Sequence, residues 1–308
     1  MAKINLSLLV LRRRVDGFHE LRTVFQTISL ADELEIRFAP SGRGEVTIDS
    51  SVEIDGNLAV RAARMLIDEE GIGGSCHLRL VKRIPMGAGL GGGSSNAAAT
   101  LLAIPALAGR RMGPEKLHAL AERLGSDVPF FLRGGTALGL GRGEEIYPLP
   151  EAGRRWGILL LPGIHVATAE AYAGLGRELT LPSDSRIMNS FQSFVWGIEA
   201  GLPETSGQAV CQNDFEEVVF RRYPRLSLLK SALVEAGGAP AMMSGSGSAL
   251  FALFAARREA ERASRSLLDE KRVLFRTISR ARYHSLWMRS LREHVLDRIW
   301  PPQSRYAE

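Results

Sequence analysis

The stretch that most constrains this chain is Pro85-Met86-Gly87-Ala88-Gly89-Leu90-Gly91-Gly92-Gly93-Ser94-Ser95-Asn96, continued at once by Ala97-Ala98-Ala99-Thr100-Leu101-Leu102. Five glycines in seven positions strip side chains from a short loop, so backbone N–H groups can surround something large and negative. A phosphate fits that description. Ser94, Ser95 and Asn96 are residue types that cap helices, and the alanine run propagates one. The loop is therefore expected to end where the positive pole of a helix begins. A flexible linker of similar composition would not stand between an amphipathic strand and a helix cap.

The kind of cradle is narrowed by what the stretch lacks. A Walker A loop needs Gly-Lys-Ser/Thr at its end, whereas these glycines run straight into Ser94-Ser95. Gly87, Gly89 and Gly92 do satisfy G-x-G-x-x-G after the strand expected over residues 76–84. No second strand ending in an acidic residue follows about 20 residues on, as a dinucleotide fold requires; the sequence there reads Ala108-Gly109-Arg110-Arg111-Met112-Gly113-Pro114.

A length of 308 residues exceeds one ordinary core and suits two domains. Hydrophobic content of 45% with 24% charged residues is that of a water-soluble globular protein. No apolar run approaches the roughly 20 residues of a membrane span, and Met1-Ala2-Lys3-Ile4-Asn5 lacks signal-peptide architecture. The expected location is the cytoplasm, with no membrane partner. Cys76 and Cys211 are too few for a zinc site or a disulfide framework and read as buried small hydrophobes. The formal charge of +5 is concentrated at the C-terminal end, where residues 255–308 carry 13 Lys and Arg against 7 Asp and Glu. The near-neutral remainder argues against nucleic acid as the partner.

In chain order, residues 4–10 alternate apolar with small polar types and predict a half-buried strand, closed by the Asp16-Gly17 turn. Further strands are expected over 22–30, over 34–38 and 45–48 on either side of a turn at 41–44, and over 76–84 and 136–140. Helices are expected over 57–66, after the glycine loop as far as a stop or kink at Pro105, and over 114–124, with residues 125–131 as a loop. Pro148-Leu149-Pro150-Glu151-Ala152-Gly153 is the most linker-like stretch and sets the domain division at 1–152 and 153–283. Beyond it, a strand is expected over 156–161, helices over 168–175, from 213, and over 224–236, and a strand over 249–254, with residues 177–210 irregular in pattern. A second glycine loop, Met242-Met243-Ser244-Gly245-Ser246-Gly247-Ser248, stands before the last of these strands, placed to close over the same phosphates. Trp287, Leu291, Val295 and Ile299 at i, i+4 spacing predict a basic amphipathic helix over His284 to Trp300, within a C-terminal extension, residues 284–308.

Three segments together, residues 85–96, Ser126-Asp127-Val128-Pro129 and Ser244-Gly245-Ser246-Gly247, resemble the signature of the galactokinase, homoserine kinase, mevalonate kinase and phosphomevalonate kinase (GHMP) superfamily. Lys3-Ile4-Asn5-Leu6 and Asp16-Gly17-Phe18-His19-Glu20-Leu21 add similarity to the branch whose acceptor is a cytidylylated methylerythritol. The resemblance implies an α+β chain of two domains, the first like part of a ribosomal protein and the second ferredoxin-like, with the active site between them. It implies transfer of the γ-phosphoryl of ATP to the acceptor's 2-hydroxyl, in the non-mevalonate route to isoprenoids. By resemblance Asp127 is the base and Lys3 its neighbour. ATP is expected to lie along Pro85 to Ser95, including Met86, Gly87, Ala88, Gly89, Leu90, Gly91, Gly92, Gly93 and Ser94, with Asn57, Ser244 and Gly245. Asn5, Phe18, His19, Thr168 and Tyr172 are the implied acceptor contacts, an aromatic face stacking on cytosine beside an imidazole that reads its edge. Phe18 stands where tyrosine is common in the family. Mg²⁺ is expected to arrive with ATP, held by phosphate oxygens and water with no protein ligand assigned, in a monomer or homodimer. The alternatives are another GHMP small-molecule kinase, of the mevalonate or homoserine class, and a nucleic-acid-binding protein that uses the basic tail.

Overall fold

The computed structural model describes residues 1–40, 43–151, 153–176, 211–267, 270–296 and 299–307. Its strands are β1 (Lys3–Arg13), β2 (His19–Thr27), β3 (Glu33–Ala39), β4 (Val46–Ser50), β5 (Ser75–Val81), β6 (Thr136–Leu140), β7 (Glu145–Pro148), β8 (Trp156–Leu160), β9 (Ala241–Met243), β10 (Leu250–Phe254) and β11 (Arg272–Arg276). Its helices are α1 (Leu58–Arg64), extended by a π-helical turn at Met65–Glu69, then α2 (Gly92–Leu107), α3 (Pro114–Leu124), α4 (Val128–Arg133), α5 (Thr168–Gly174), α6 (Phe215–Arg222), α7 (Pro224–Glu235), α8 (Arg257–Ser266) and α9 (Arg280–Ser290). Residues 177–210 lie outside the described residues. Among the described residues no helix is long and apolar enough to cross a membrane.

Three sheets organise these elements. One is antiparallel in the order β1-β2-β6-β7. In the second, β5 lies between β3 and β4, antiparallel to the first and parallel to the other. The expected turn at 41–44 lies partly outside the described residues; β3 and β4 on either side of it do not pair with each other, because β5 takes the place between them. The third is antiparallel in the order β11-β8-β10-β9. With helices between β8 and β9 and α8 between β10 and β11, this is the ferredoxin-like βαββαβ arrangement. Pro148 ends β7 in the first sheet and Trp156 opens β8 in the third.

The third sheet is apolar on both faces. Leu159, Phe251, Leu253 and Phe275 pack with Ile4, Leu6, Val24 and Ile28 of the first sheet, while the alternating Ile158, Leu160, Leu250 and Ala252 pack with Phe215, Val219, Leu226 and Leu233 from α6 and α7. β1 is consequently buried from Lys3 to Val10 rather than half-buried. Bridges from Leu8 to Asn213, just ahead of α6, and from Ile28 to Thr277, just past β11, tie the first sheet to the C-terminal half. A separate core under β3–β5 is filled by Ala62, Leu101, Leu120 and Phe130 from α1–α4. Cys76 is buried within it and Cys211 half-buried beside the other sheet interface; both are free thiols, pushed up by burial to about 11 and about 12.

Four local expectations are corrected. Helix α2 starts at Gly92 with Gly91 as its N-cap at φ 67°, so Ser94, Ser95 and Asn96 lie inside the helix and do not cap it. A left-handed glycine can begin the helix directly, and that leaves its first N–H groups uncapped by a side chain. Pro105 does not stop α2, which runs on to Leu107; so near the C-terminal end, proline's missing N–H costs a single ladder bond. Residues 128–133 form α4 where a loop was expected, with Pro129 in the first turn, where no N–H is needed. The amphipathic helix ends at Ser290, and the chain then folds back, with Leu291 and Val295 buried on Ala103 and Ala106 of α2. The turning segment buries Leu291 and Val295 but leaves Ile299 exposed, so the i, i+4 spacing does not mark one helical face here.

Candidate active site

A cleft of about 1200 Å³ opens between the first and third sheets, with β1, β2, both glycine loops and α5 on its walls. Gly87, Gly89 and Gly91 take φ of 65°, 74° and 67°, which turns the loop back on itself. Ser244 Oγ donates to the Gly89 carbonyl at 3.0 Å, and the Ala249 N–H reaches the Ala88 carbonyl at 3.3 Å. The second loop therefore sits on the first, and a Cβ on Gly89 would lie 2.0 Å from the Ser244 oxygen. Bare backbone at left-handed glycines, followed by the N-terminal turn of the 16-residue α2, suits a polyphosphate.

Lys3 projects from β1 into this cleft. Its Nζ donates to Asn5 Oδ1 at 2.6 Å, lies 5.4 Å from the centroid of the Phe25 ring and is 3.4 Å from Asp127 Oδ2. Asn5 Nδ2 donates in turn to Thr23 Oγ1, and that hydroxyl to the Ser7 carbonyl, both at 2.7 Å. The polar alternation of β1 is thus buried because its members satisfy one another and the neighbouring strand. Asp127 occupies the N-cap position of α4, yet its side chain makes no capping bond. Its carboxylate is turned to Lys3 instead.

At the other end of the cleft the His19 imidazole stacks on Tyr172 at 4.6 Å and 23°, and Tyr172 meets Phe215 edge-on at 4.8 Å. Burial, with a smaller contribution from the Asp127 carboxylate, pushes the Tyr172 phenol up to about 12, so it stays protonated and can donate. Burial and the nearby Arg13 hold His19 below its ordinary value, which keeps the ring neutral at pH 7. Phe18 is half exposed at the rim, with the Arg142 guanidinium 4.7 Å over its face.

Gly87, Gly89, Gly91, Ser94 and Gly245 line the cleft together with Lys3, Asn5, Phe18, His19, Asp127, Thr168 and Tyr172. The remaining residues of the two loops are not among the cleft's lining residues. Ala88 and Leu90 anchor the first loop in the core between the sheets, Gly92 is buried against Ile84 and Lys82, and Ser95 and Ser244 are buried. Pro85 and Gly93 flank the loop, and Met86 is exposed. Asn57 is likewise absent from the cleft wall; its Oδ1 caps α1 by accepting the Ala59 N–H at 2.9 Å. Sequence reasoning missed Arg13, Arg142 and His165, which also line the cleft. The Gly141-Arg142-Gly143 turn carries no local signal of chemistry, since the ring it covers is more than 120 residues away.

The GHMP kinases N terminal domain matches residues 57–135, and GHMP kinases C terminal matches residues 194–272. Fold and cleft together define a small-molecule kinase of the GHMP class. The 4-diphosphocytidyl-2-C-methyl-D-erythritol kinase of Solibacter usitatus is 50% identical over 99% of this chain and 96% of its own; that of Prosthecochloris aestuarii is 39% identical over 89% and 94%. A solved 4-(cytidine 5'-diphospho)-2C-methyl-D-erythritol kinase superposes with a TM-score of 0.74 at 35% identity, covering 90% of this chain and 97% of that one. The chain belongs to the 4-diphosphocytidyl-2-C-methyl-D-erythritol kinase family.

Proposed function

We propose that this chain transfers the γ-phosphoryl group of ATP to the 2-hydroxyl of 4-diphosphocytidyl-2-C-methyl-D-erythritol, a step of isoprenoid precursor synthesis. The observation that carries the reading is the Lys3–Asp127 pair at 3.4 Å in the same cleft as the His19–Tyr172 stack. One end offers a carboxylate and a cation to a reacting hydroxyl, the other an aromatic face and a neutral imidazole to a nucleobase. In this division of labour residues 1–152 supply the phosphate loop, Lys3 and Asp127, residues 153–283 supply Tyr172 and the covering loop, and the cytosine lies between them.

The new bond joins the acceptor oxygen to the γ-phosphorus as the bond to the β-bridging oxygen breaks, and ADP leaves with that electron pair. Asp127 receives the hydroxyl proton. Proton removal can come late in a loose phosphoryl-transfer transition state, so the principal work is positioning and charge stabilisation. Lys3 is suited to both: its hydrogen bond to Asn5 fixes its direction, and its charge faces the oxygen that becomes negative. Mg²⁺ would neutralise the triphosphate. The ion would be held by phosphate oxygens and water. The test is ADP release from Mg-ATP with the cytidylylated acceptor, free methylerythritol, mevalonate and homoserine. Turnover with the first alone is expected; turnover with any other overturns the acceptor assignment.

A further inference from the structure

Helix α4 is only six residues long. So short a helix has little stability of its own, and its last carbonyls have no partners within it. Three of those carbonyls take donors from the C-terminal segment. Tyr283 Oη donates to the Phe131 carbonyl at 2.6 Å, Trp300 Nε1 to Leu132 at 3.0 Å, and His284 Nε2 to Arg133 at 2.9 Å. A carbonyl can only accept, so His284 Nε2 carries the proton. The donors also brace one another: His284 stacks on Trp300 at 3.7 Å and 9°, and the fully buried Tyr283 meets Trp300 edge-on at 6.3 Å. Gly134 ends the helix at φ 65°, and a Cβ there would lie 2.5 Å from the Tyr283 ring, so the ring closes directly over the helix end.

The opposite end of the same helix carries Asp127. Along its length, the Phe131 ring lies 2.9 Å from where a Cβ on Gly91 would stand, and Lys3 Cγ is 3.2 Å from that point. The residue whose carbonyl Tyr283 grips therefore packs against Gly91 of the phosphate loop, the same glycine that the Lys3 stem adjoins. We infer that Tyr283, His284 and Trp300 are positioning residues, a clamp on the C-terminal end of α4 that sets Asp127 against Lys3 and the bound γ-phosphoryl group. The inference rests on the proposed role of Asp127 as base. A helix this short moves as one piece, so a shift at its clamped end is delivered to the carboxylate, and a displacement of about 1 Å in a reacting group costs on the order of a hundredfold in rate.

The test uses the full chain carrying Tyr283→Phe, Trp300→Phe and the double variant, each keeping an aromatic ring while removing a donor, with His284→Ala and His284→Gln beside them. Steady-state kinetics are read well below the melting temperature. The double variant is expected to lose about tenfold or more in kcat with KM for ATP and acceptor within about twofold, and His284→Gln, whose amide can still donate, is expected to recover the kcat that His284→Ala loses. In an Asp127→Asn background the Tyr283 and Trp300 changes are expected to lower kcat no further. Variants that melt earlier but keep wild-type kcat overturn the clamp, since a merely structural brace behaves that way. Asp127→Asn is the separating control. Turnover retained there removes the base on which the inference rests, whereas turnover lost there but kept in the Tyr283 and Trp300 variants overturns the clamp alone.

Discussion

Lys3 Nζ stands 3.4 Å from Asp127 Oδ2, the ammonium side chain 4% exposed and the carboxylate 33%. A cation so enclosed needs its partners, and it has the carboxylate, the Asn5 amide oxygen and the Phe25 ring. Asp127→Asn removes the proton acceptor while leaving shape and the helix start intact. Its kcat is expected to fall by about 10²- to 10⁴-fold with ATP affinity retained, measured by steady-state kinetics and nucleotide titration. Lys3→Gln is expected to lose comparably, and the double variant far less than the product of the two, because the residues act as a unit. Near-normal turnover in Asp127→Asn removes that residue from the mechanism.

Gly89 separates two loops that touch. An alanine there would place Cβ 2.0 Å from the Ser244 carbonyl oxygen, in a backbone at φ 74°. Gly89→Ala is expected to destabilise the fold by about 1–3 kcal/mol and to raise KM for ATP. Gly93 is the control: a Cβ there meets nothing closer than Leu58 Cδ1 at 3.6 Å, so Gly93→Ala should fold at no cost. Equal melting temperatures for the two variants would refute the requirement at position 89.

Tyr172 stacks on His19 and is braced edge-on by Phe215. If this end of the cleft holds cytosine, Tyr172→Leu forfeits a stacking contact worth about 1–3 kcal/mol. KM for the acceptor is then expected to rise roughly 5- to 150-fold, with KM for ATP unchanged. An equal rise in both would place the ring's effect on the fold rather than on the base.

The acid side of the pH profile follows from the histidines. Burial first, then nearby arginines, hold His19 and His284 below their ordinary value of 6.5. Between the lowered folded value and 6.5 the unfolded chain binds more protons than the folded one. Stability contributed by the neutral rings is therefore complete above pH 6.5 and is lost as pH falls below it. Thermal melts at pH 7.5 and 5.5 are expected to show the lower transition at pH 5.5, and His284→Gln should narrow the gap. A gap unchanged by that substitution would rule out His284 as a contributor.

Asp32 is buried beside the glycine loop, accepting from Lys82 Nζ, the Ile84 and Arg83 N–H groups and Asn96 Nδ2. Burial works against its charge, but these four donors prevail and hold the carboxyl below the usual carboxylate range. Asp32→Ala leaves the Lys82 ammonium, 7% exposed, without its counter-charge. It is expected to cost about 3–5 kcal/mol, read from urea unfolding midpoints. A loss below about 1 kcal/mol would mean that the pair is solvated as a surface ion pair.

What the sequence determined by itself is local. The glycine loop, the strand before it and the helix after it are readable because left-handed turns need glycine and because side chains repeat with period two in a strand and about 3.6 in a helix. The Lys3-Ile4-Asn5 strand and the Phe18-His19 pair are short motifs that can be picked out without coordinates, and Lys3, Asn5, Phe18 and His19 line one cleft. Local preference misled at Ser94-Ser95-Asn96, which a left-handed Gly91 displaced from the cap, and at residues 125–131, where core burial of Phe130 and Phe131 made a helix of an expected loop. What only the tertiary structure decided is every relationship across long sequence separation. Lys3 meets Asp127, Gly89 meets Ser244, Arg142 covers Phe18, and Trp300 reaches the Leu132 carbonyl. No residue's own propensity encodes such a meeting. It arises when apolar faces too large for their own sheet or helix bury against another, and the polar groups carried into contact must then satisfy one another.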